Sequence, residues 1–196
     1  MNVFFDWSAF LIFAAVTVST PGPNTIACMS NGSRKGFIKG LPFNFGIFTG
    51  FVIVMLVCAV FTKSLNDFLP KIKMPLLVVG AGYMLFLAWK IFRRGDKVGD
   101  SDRDGTFLSG FLLQFVNPKI YFYGLVANQN YILPSYSEKP LILAGFAVIL
   151  ALIALFFGLC WSAFGGILKT LFSKYAKVLN TIMALLLVYC AVRFFV

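Results

Sequence analysis

Lys119 stands near the middle of the apolar stretch Thr106 to Leu133, directly after Asn117-Pro118. If that stretch crosses a bilayer, a charge at its centre costs about 2.5–3.5 kcal/mol on insertion scales, so it marks a cavity or a substrate or ion path. Two chemistries suit it. The ammonium can seat an anionic group such as a carboxylate, or it can merely snorkel or pair with a backbone carbonyl freed by Pro118. A second cluster, Thr20-Pro21-Gly22-Pro23-Asn24, interrupts the stretch Val3 to Ser30. Beyond it Asn24, Cys28 and Asn31 recur at i, i+4 and i+7. Around Pro118, the residues Gln114, Asn117, Tyr121 and Asn128 recur at i, i+3, i+7 and i+14. Each set falls on one helical face. Asn44 either lines the same cavity or bonds between helices. The candidate binding set is therefore Pro21, Gly22, Pro23, Asn24, Cys28 and Asn44, with Gln114, Asn117, Pro118, Lys119 and Tyr121.

These side chains read as binding groups, and no catalytic constellation accompanies them. The chain has no His, and its nearest acids, Asp6 and Glu138, lie at the edges of apolar stretches. A proton relay on buried carboxylates is not visible. Cys28, Cys58, Cys160 and Cys190 form no CxxC and have no His to complete a zinc site, so they read as packing residues. The expectation is no enzyme, no metal and no cofactor.

Elements that could position such a site follow from the composition. Of 196 residues, 60% are hydrophobic and 12% charged, with 24 Phe; mean hydropathy is +0.88. In water such a chain would expose large apolar patches, so a soluble enzyme and a disordered chain are both excluded. A spanning helix needs about 20 mostly apolar residues. Cutting the chain at its polar clusters gives six: Val3–Ser30, Phe37–Phe61, Met74–Phe92, Thr106–Leu133, Leu141–Leu168 and Val178–Val196. The linkers are short, and the stretch Asp96 to Asp104 reads as a solvated loop. A single transmembrane domain covers 1–196. Met1 to Val18 lacks a basic start and a small-residue cleavage site, so it reads as a span and not a cleavable signal. Phe4, Phe5 and Trp7 read as interfacial anchors.

The net charge of +10 comes from 17 Lys and Arg against 7 Asp and Glu. Sorted by loop, eleven of the basic residues fall in the three odd-numbered loops and five on the opposite side, while Lys119 lies in a span. Basic loops stay in the cytoplasm, which places both termini outside. The charge is a topology signal and makes no case for nucleic acid. The partners expected are the lipid bilayer and a small-molecule substrate, with homo-oligomerisation left open.

Both proline breaks fall in the first span of a three-span half. An odd-numbered repeat must insert with inverted topology, so repeat 1 (about 1–95) and repeat 2 (about 105–196) are expected to be inverted relative to each other. Gly/Pro-interrupted spans in matching positions point to a transporter site at the repeat interface. The competing reading is two ordinary proline kinks. Gly36-x3-Gly40, Gly46-x3-Gly50 and Gly80-x-Gly82 read as close helix packing, as do Tyr83, Tyr123, Tyr189 and Trp161.

With Thr20-Pro21-Gly22-Pro23-Asn24-Thr25, Arg34-Lys35-Gly36, Gly46-x3-Gly50, Ala81-Gly82-Tyr83, Leu87-Ala88-Trp89-Lys90 and Phe115-Val116-Asn117-Pro118-Lys119, the chain resembles the LysE/RhtB superfamily of amino-acid exporters along its whole length. Leu113-Gln114-Phe115-Val116-Asn117, Ile120, Tyr123-Gly124 and the ending Ala184 to Arg193 are most similar to the subgroup that exports cysteine and O-acetylserine. Homoserine, threonine and other small neutral amino acids stay open as substrates. The resemblance implies proton-driven export across a bacterial inner membrane, with the site at Pro21–Asn24 and Asn117–Lys119. It also sets a difference: some relatives carry an acidic residue within a span, and this chain carries none.

Three functions follow as expectations. In a secondary transporter, the amides at Asn24–Ile26 and the Lys119 ammonium hold a substrate carboxylate, the Asn and Gln side chains hold its amine, and the repeats rock against each other. A thiol–disulfide oxidoreductase needs two thiols whose Cα atoms lie about 5.5–6 Å apart. Cys28 lies five residues past Pro23, but the equivalent position past Pro118 is Tyr123. The third expectation is a passive pore or an accessory subunit.

Overall fold

The computed structural model describes residues 5–93, 105–136, 139–168 and 175–192, with side chains described throughout these except at 61, 63–73, 76 and 176. Phe4, Glu138, the loop expected at Asp96–Asp104 and the basic residues Arg94, Lys97, Arg103, Lys169, Lys174 and Arg193 lie outside the described residues.

Every regular element among the described residues is helical. In order these are α1 (Trp7–Ser19), α2 (Pro23–Lys35), α3 (Phe37–Arg93), α4 (Phe107–Val116) and α5 (Pro118–Ala127). A π-helical turn at Asn128–Ile132 leads into α6 (Leu133–Tyr136), followed by α7 (Pro140–Ile167) and α8 (Ala176–Val192). Local chemistry sets the ends. Asp6 Oδ1 accepts the Ala9 N–H at 2.9 Å and caps α1, and Thr106 Oγ1 accepts the Ser109 N–H at 3.3 Å and caps α4. Pro23, Pro118 and Pro140 each open a helix, where the missing N–H costs nothing. Gly36, with φ +79°, ends α2 and donates its N–H to the Gly32 carbonyl at 2.9 Å.

By length and apolarity, Phe37–Val60 and Pro140–Ile167 can each cross a membrane, and α1 with α2 makes a third when the pair, bent by 56°, is taken together. Phe107–Val116 and Lys177–Val192 are shorter apolar helices. Leu141, Ile167, Ile38 and Val60 stand exposed on the outside of the bundle. That surface suits lipid and not water.

Two features differ from the sequence expectation. The second and third expected spans are joined without an extended break inside α3, the residues between them keeping helical conformation. Its two arms nevertheless run in opposite directions. Gly46 and Gly50 lie against Phe107 and Phe111, so the first arm ascends alongside α4, whereas Gly80 in the second arm lies back against Val116 and Pro118. The π-helical turn was also unforeseen. The Asn128 side chain donates to the Gly124 carbonyl at 2.7 Å, its backbone N–H is shared between the Gly124 and Leu125 carbonyls, and the Leu133 N–H then reaches back to Asn128.

The core has two main parts. One joins Phe10, Ala14, Phe51, Met55, Ile120 and Leu150 from α1, α3, α5 and α7. The other joins Ala81, Met84 and Ala88 of the second arm of α3 to Met183, Ala184 and Leu187 of α8. Two crossings are tighter than side chains allow. A Cβ on Gly32 or Gly165 would collide with α7 or α2 backbone, and one on Gly46 or Gly110 would collide with α4 or α3 backbone. Small residues permit such backbone approach.

Candidate functional site

Between Ser19 and Pro23 the chain leaves the helix, with Thr20 and Gly22 extended. Four carbonyls between Val16 and Thr20 find partners. The Val16 carbonyl accepts the Thr20 N–H at 3.3 Å and the Ser19 hydroxyl at 3.0 Å. The Thr17 carbonyl accepts the Thr20 hydroxyl at 2.8 Å. The Ser19 carbonyl accepts Trp161 Nε1–H from α7 at 3.3 Å. The Thr20 carbonyl accepts the Lys119 ammonium at 3.2 Å, and Thr20 Oγ1 accepts it at 2.8 Å. On the far side, the Gly22 N–H donates to Thr25 Oγ1 at 2.8 Å, and the Thr25 hydroxyl donates back to the Gly22 carbonyl at 3.1 Å.

The second break is a single residue. Asn117 is extended between α4 and α5, and its Oδ1 accepts the Lys119 N–H at 3.1 Å. Pro118 has no N–H for the Gln114 carbonyl, which accepts the Asn117 N–H at 3.4 Å instead. Diverting the Lys119 N–H frees the Phe115 carbonyl, and the Tyr121 hydroxyl donates to it at 3.2 Å. Two of the carbonyls freed at Pro118, those of Gln114 and Phe115, are thus served locally. The reading in which Lys119 pairs with one of them is corrected: its ammonium crosses to Thr20 of the other break.

The breaks are also joined by amides. Asn24 Nδ2 donates to Gln114 Oε1 at 2.8 Å. Asn24 Oδ1 accepts from Asn117 Nδ2 at 3.1 Å and from Gln114 Nε2 at 3.3 Å. Gln114 and Asn117 are buried, where leaving an amide unpaired would be costly. Gly22 lies where the two breaks press together. A Cβ there would sit 3.3 Å from Lys119 Nζ, so a glycine lets the ammonium close on the break.

The breaks enclose a cavity of about 40 Å³, walled by Thr20, Gly22, Asn24, Thr25, Asn117 and Lys119, and beyond them by Cys28, Tyr123 and Gly158. A single water needs about 10–15 Å³, so the space holds a few small groups. Helix geometry leaves the Asn24 and Thr25 N–H groups of α2 without intrahelical partners. The set expected at Asn24–Ile26 is one shorter, because the Ile26 N–H is spent on the Gly22 carbonyl at 3.0 Å. Two of the ammonium's three donors go to Thr20.

Of the residues singled out in the sequence, Gly22, Pro23, Asn24, Cys28, Asn117 and Lys119 wall the cavity. The rest stand elsewhere. Pro21 is exposed. Pro118 is buried with its ring toward Gly80. Gln114 supports Asn24 from behind, and Tyr121 caps the break. Asn44 bonds between helices: Nδ2 donates to Ser162 Oγ at 2.9 Å, while Oδ1 accepts the Cys28 thiol at 3.3 Å. Asn31 leaves the shared face to donate to the Gly40 carbonyl at 3.3 Å. Sequence reasoning missed Thr20 and Thr25 as site residues, and took Tyr123 and Trp161 for packing. The placement of Thr20 and Thr25 inside and beside TPGPN was the available signal. Nothing local marks Ser162 or Trp161, whose partners are far away in the chain.

The family model described as "LysE type translocator" matches residues 15–196. The chain is 40% identical over 189 residues to the cysteine/O-acetylserine efflux protein of Escherichia coli strain K12, covering 96% of each chain. The protein of the same name from Shigella flexneri serotype 5b matches with the same identity and coverage. No solved structure matches.

Proposed function

The chain belongs to the LysE type translocators, and from that premise we propose that it exports a small neutral amino acid, of the cysteine or O-acetylserine kind, from the cytoplasm across the bacterial inner membrane. The carboxylate binds at the Lys119 ammonium and the free N–H groups of Asn24 and Thr25, where a helix N-terminus and a cation coincide. Asn24 and Asn117 exchange their mutual bonds for bonds to the substrate's ammonium. The family name and the relatives' names support export. The observation that carries the site is the Lys119–Thr20 contact, which closes one break onto the other beside a cavity.

The fold we propose is six spans in two inverted three-helix repeats: α1–α2 with the two arms of α3, then α4–α6 with α7 and α8. The packing supports this at the level of whole spans, although the glycine crossing is made by the second half-helix, α2, in one repeat and by the first half-helix, α4, in the other. The broken pairs meet each other, each packs through glycines on the second span of the opposite repeat, and the third spans pack together. Six spans put both termini on one side, and the excess of Lys and Arg in the odd-numbered loops supports placing that side outside. Transport follows from rocking of the repeats about the breaks, since about 40 Å³ must widen to admit a whole amino acid. We propose the proton gradient as the driving force.

Purified protein in proteoliposomes, offered a panel of labelled small amino acids with and without a proton gradient, tests the reading. Accumulation against concentration is the expected result, with the panel choosing between cysteine or O-acetylserine and homoserine or threonine. Equilibration alone indicates a passive pore, and no movement of any amino acid defeats the proposal.

A further inference from the structure

Tyr123 is 2% exposed, and its hydroxyl has no hydrogen-bond partner. It also lines the cavity between the breaks. An unpaired hydroxyl in such a place is destabilising, and a phenylalanine would fill the same space without that cost. Packing holds the ring in place. It stacks on Phe13 with centroids 5.6 Å apart and an interplanar angle of 15°, and meets Phe51 edge-on at 5.7 Å. Tyr123 stands four residues after Lys119 in α5, on the same face. The rise between them is about 6 Å, comparable to the span of a small amino acid from its carboxylate to the first polar atoms of its side chain.

We propose that the Tyr123 hydroxyl reads the substrate's side chain, donating to an oxygen or sulfur there while Lys119 holds the carboxylate. This rests on the export reading and extends it to a substrate class: small amino acids with a hydrogen-bond acceptor in the side chain, in preference to apolar ones of equal size. A site that offers a buried hydroxyl discriminates against a ligand that leaves it unpaired. Oxygen is the better acceptor, since sulfur accepts weakly. O-acetylserine therefore gains more from Tyr123 than cysteine does.

The test compares O-acetylserine with norleucine, and cysteine with 2-aminobutyrate, in proteoliposomes carrying wild type or Tyr123→Phe. Wild type should show the lower KM for the polar member of each pair. Tyr123→Phe, which keeps both ring contacts, should raise KM for O-acetylserine by about tenfold and leave norleucine unchanged, so that the preference collapses. An unchanged preference in Tyr123→Phe overturns the inference. So does a wild type that handles both members of each pair with equal KM, a result that needs no variant to fold and leaves export itself standing. A wild type that moves no amino acid at all defeats the export reading and this inference together.

Discussion

The two breaks share a proline signature and play different parts. At Thr20–Gly22 three residues leave the helix and the axis turns by 56°. This break presents backbone: the Thr20 carbonyl, which Lys119 occupies, and the Asn24 and Thr25 N–H groups, which helix geometry leaves open. At Asn117 a single residue leaves the helix, and the Gln114 and Phe115 carbonyls are served locally by the Asn117 N–H and the Tyr121 hydroxyl. This break presents side chains, a cation and two amides, to the first. A pair of matched breaks can thus divide a site into a backbone half and a side-chain half. The backbone half tolerates little substitution at Gly22, and the side-chain half depends on Lys119.

The comparison is broken most severely at Lys119. Lys119→Ala removes the side-chain half's cation and should lower efflux on the order of 100-fold, the scale for truncating one partner of a hydrogen-bonded charge that holds a ligand, with membrane insertion intact by membrane-fraction immunoblot. Gly22→Ala acts from the backbone half. Its Cβ would stand 3.3 Å from Nζ, displacing the ammonium by a few tenths of an ångström, and efflux should fall roughly three- to tenfold. Tyr121→Phe and Trp161→Phe each remove one donor from a freed carbonyl, one per break. Each should cost about 1 kcal/mol, a fall of about 2–4 °C in the detergent-solubilised Tm, with little effect on substrate choice. Cys28→Ser should leave efflux within about twofold, since a hydroxyl can take the thiol's place opposite Asn44. A complete loss there would favour thiol chemistry over transport.

The half of this site written in consecutive residues was legible in the sequence. Proline is hard to place in a lipid-facing helix, so TPGPN and NPK mark both breaks, and a lysine beside one of them reads as a cavity residue, a snorkelling cation or a carbonyl partner. It lines the cavity, and the carbonyl it meets is not one freed at Pro118 but that of Thr20, 99 residues away. That partner was hidden because periodicity reports faces along one helix, while the choice of acceptor depends on how two breaks are pressed together. Tyr121 and Asn44 show the same limit. Their spacing places them near the site, but three-dimensional contacts assign one to a cap and the other to Ser162. The stretch between Phe61 and Met74 reads as a linker between two spans; the arms on either side of it do run in opposite directions, but its helical backbone was not legible from polarity.

The central claim is that the breaks together hold a carboxylate. The most direct test is the affinity of the purified protein for O-acetylserine and cysteine against the corresponding carboxamides, measured calorimetrically in detergent for wild type and Lys119→Ala. Wild type should prefer the acids by at least about tenfold, and Lys119→Ala should bind acid and amide alike. Equal affinity of wild type for the acids and the amides would contradict it.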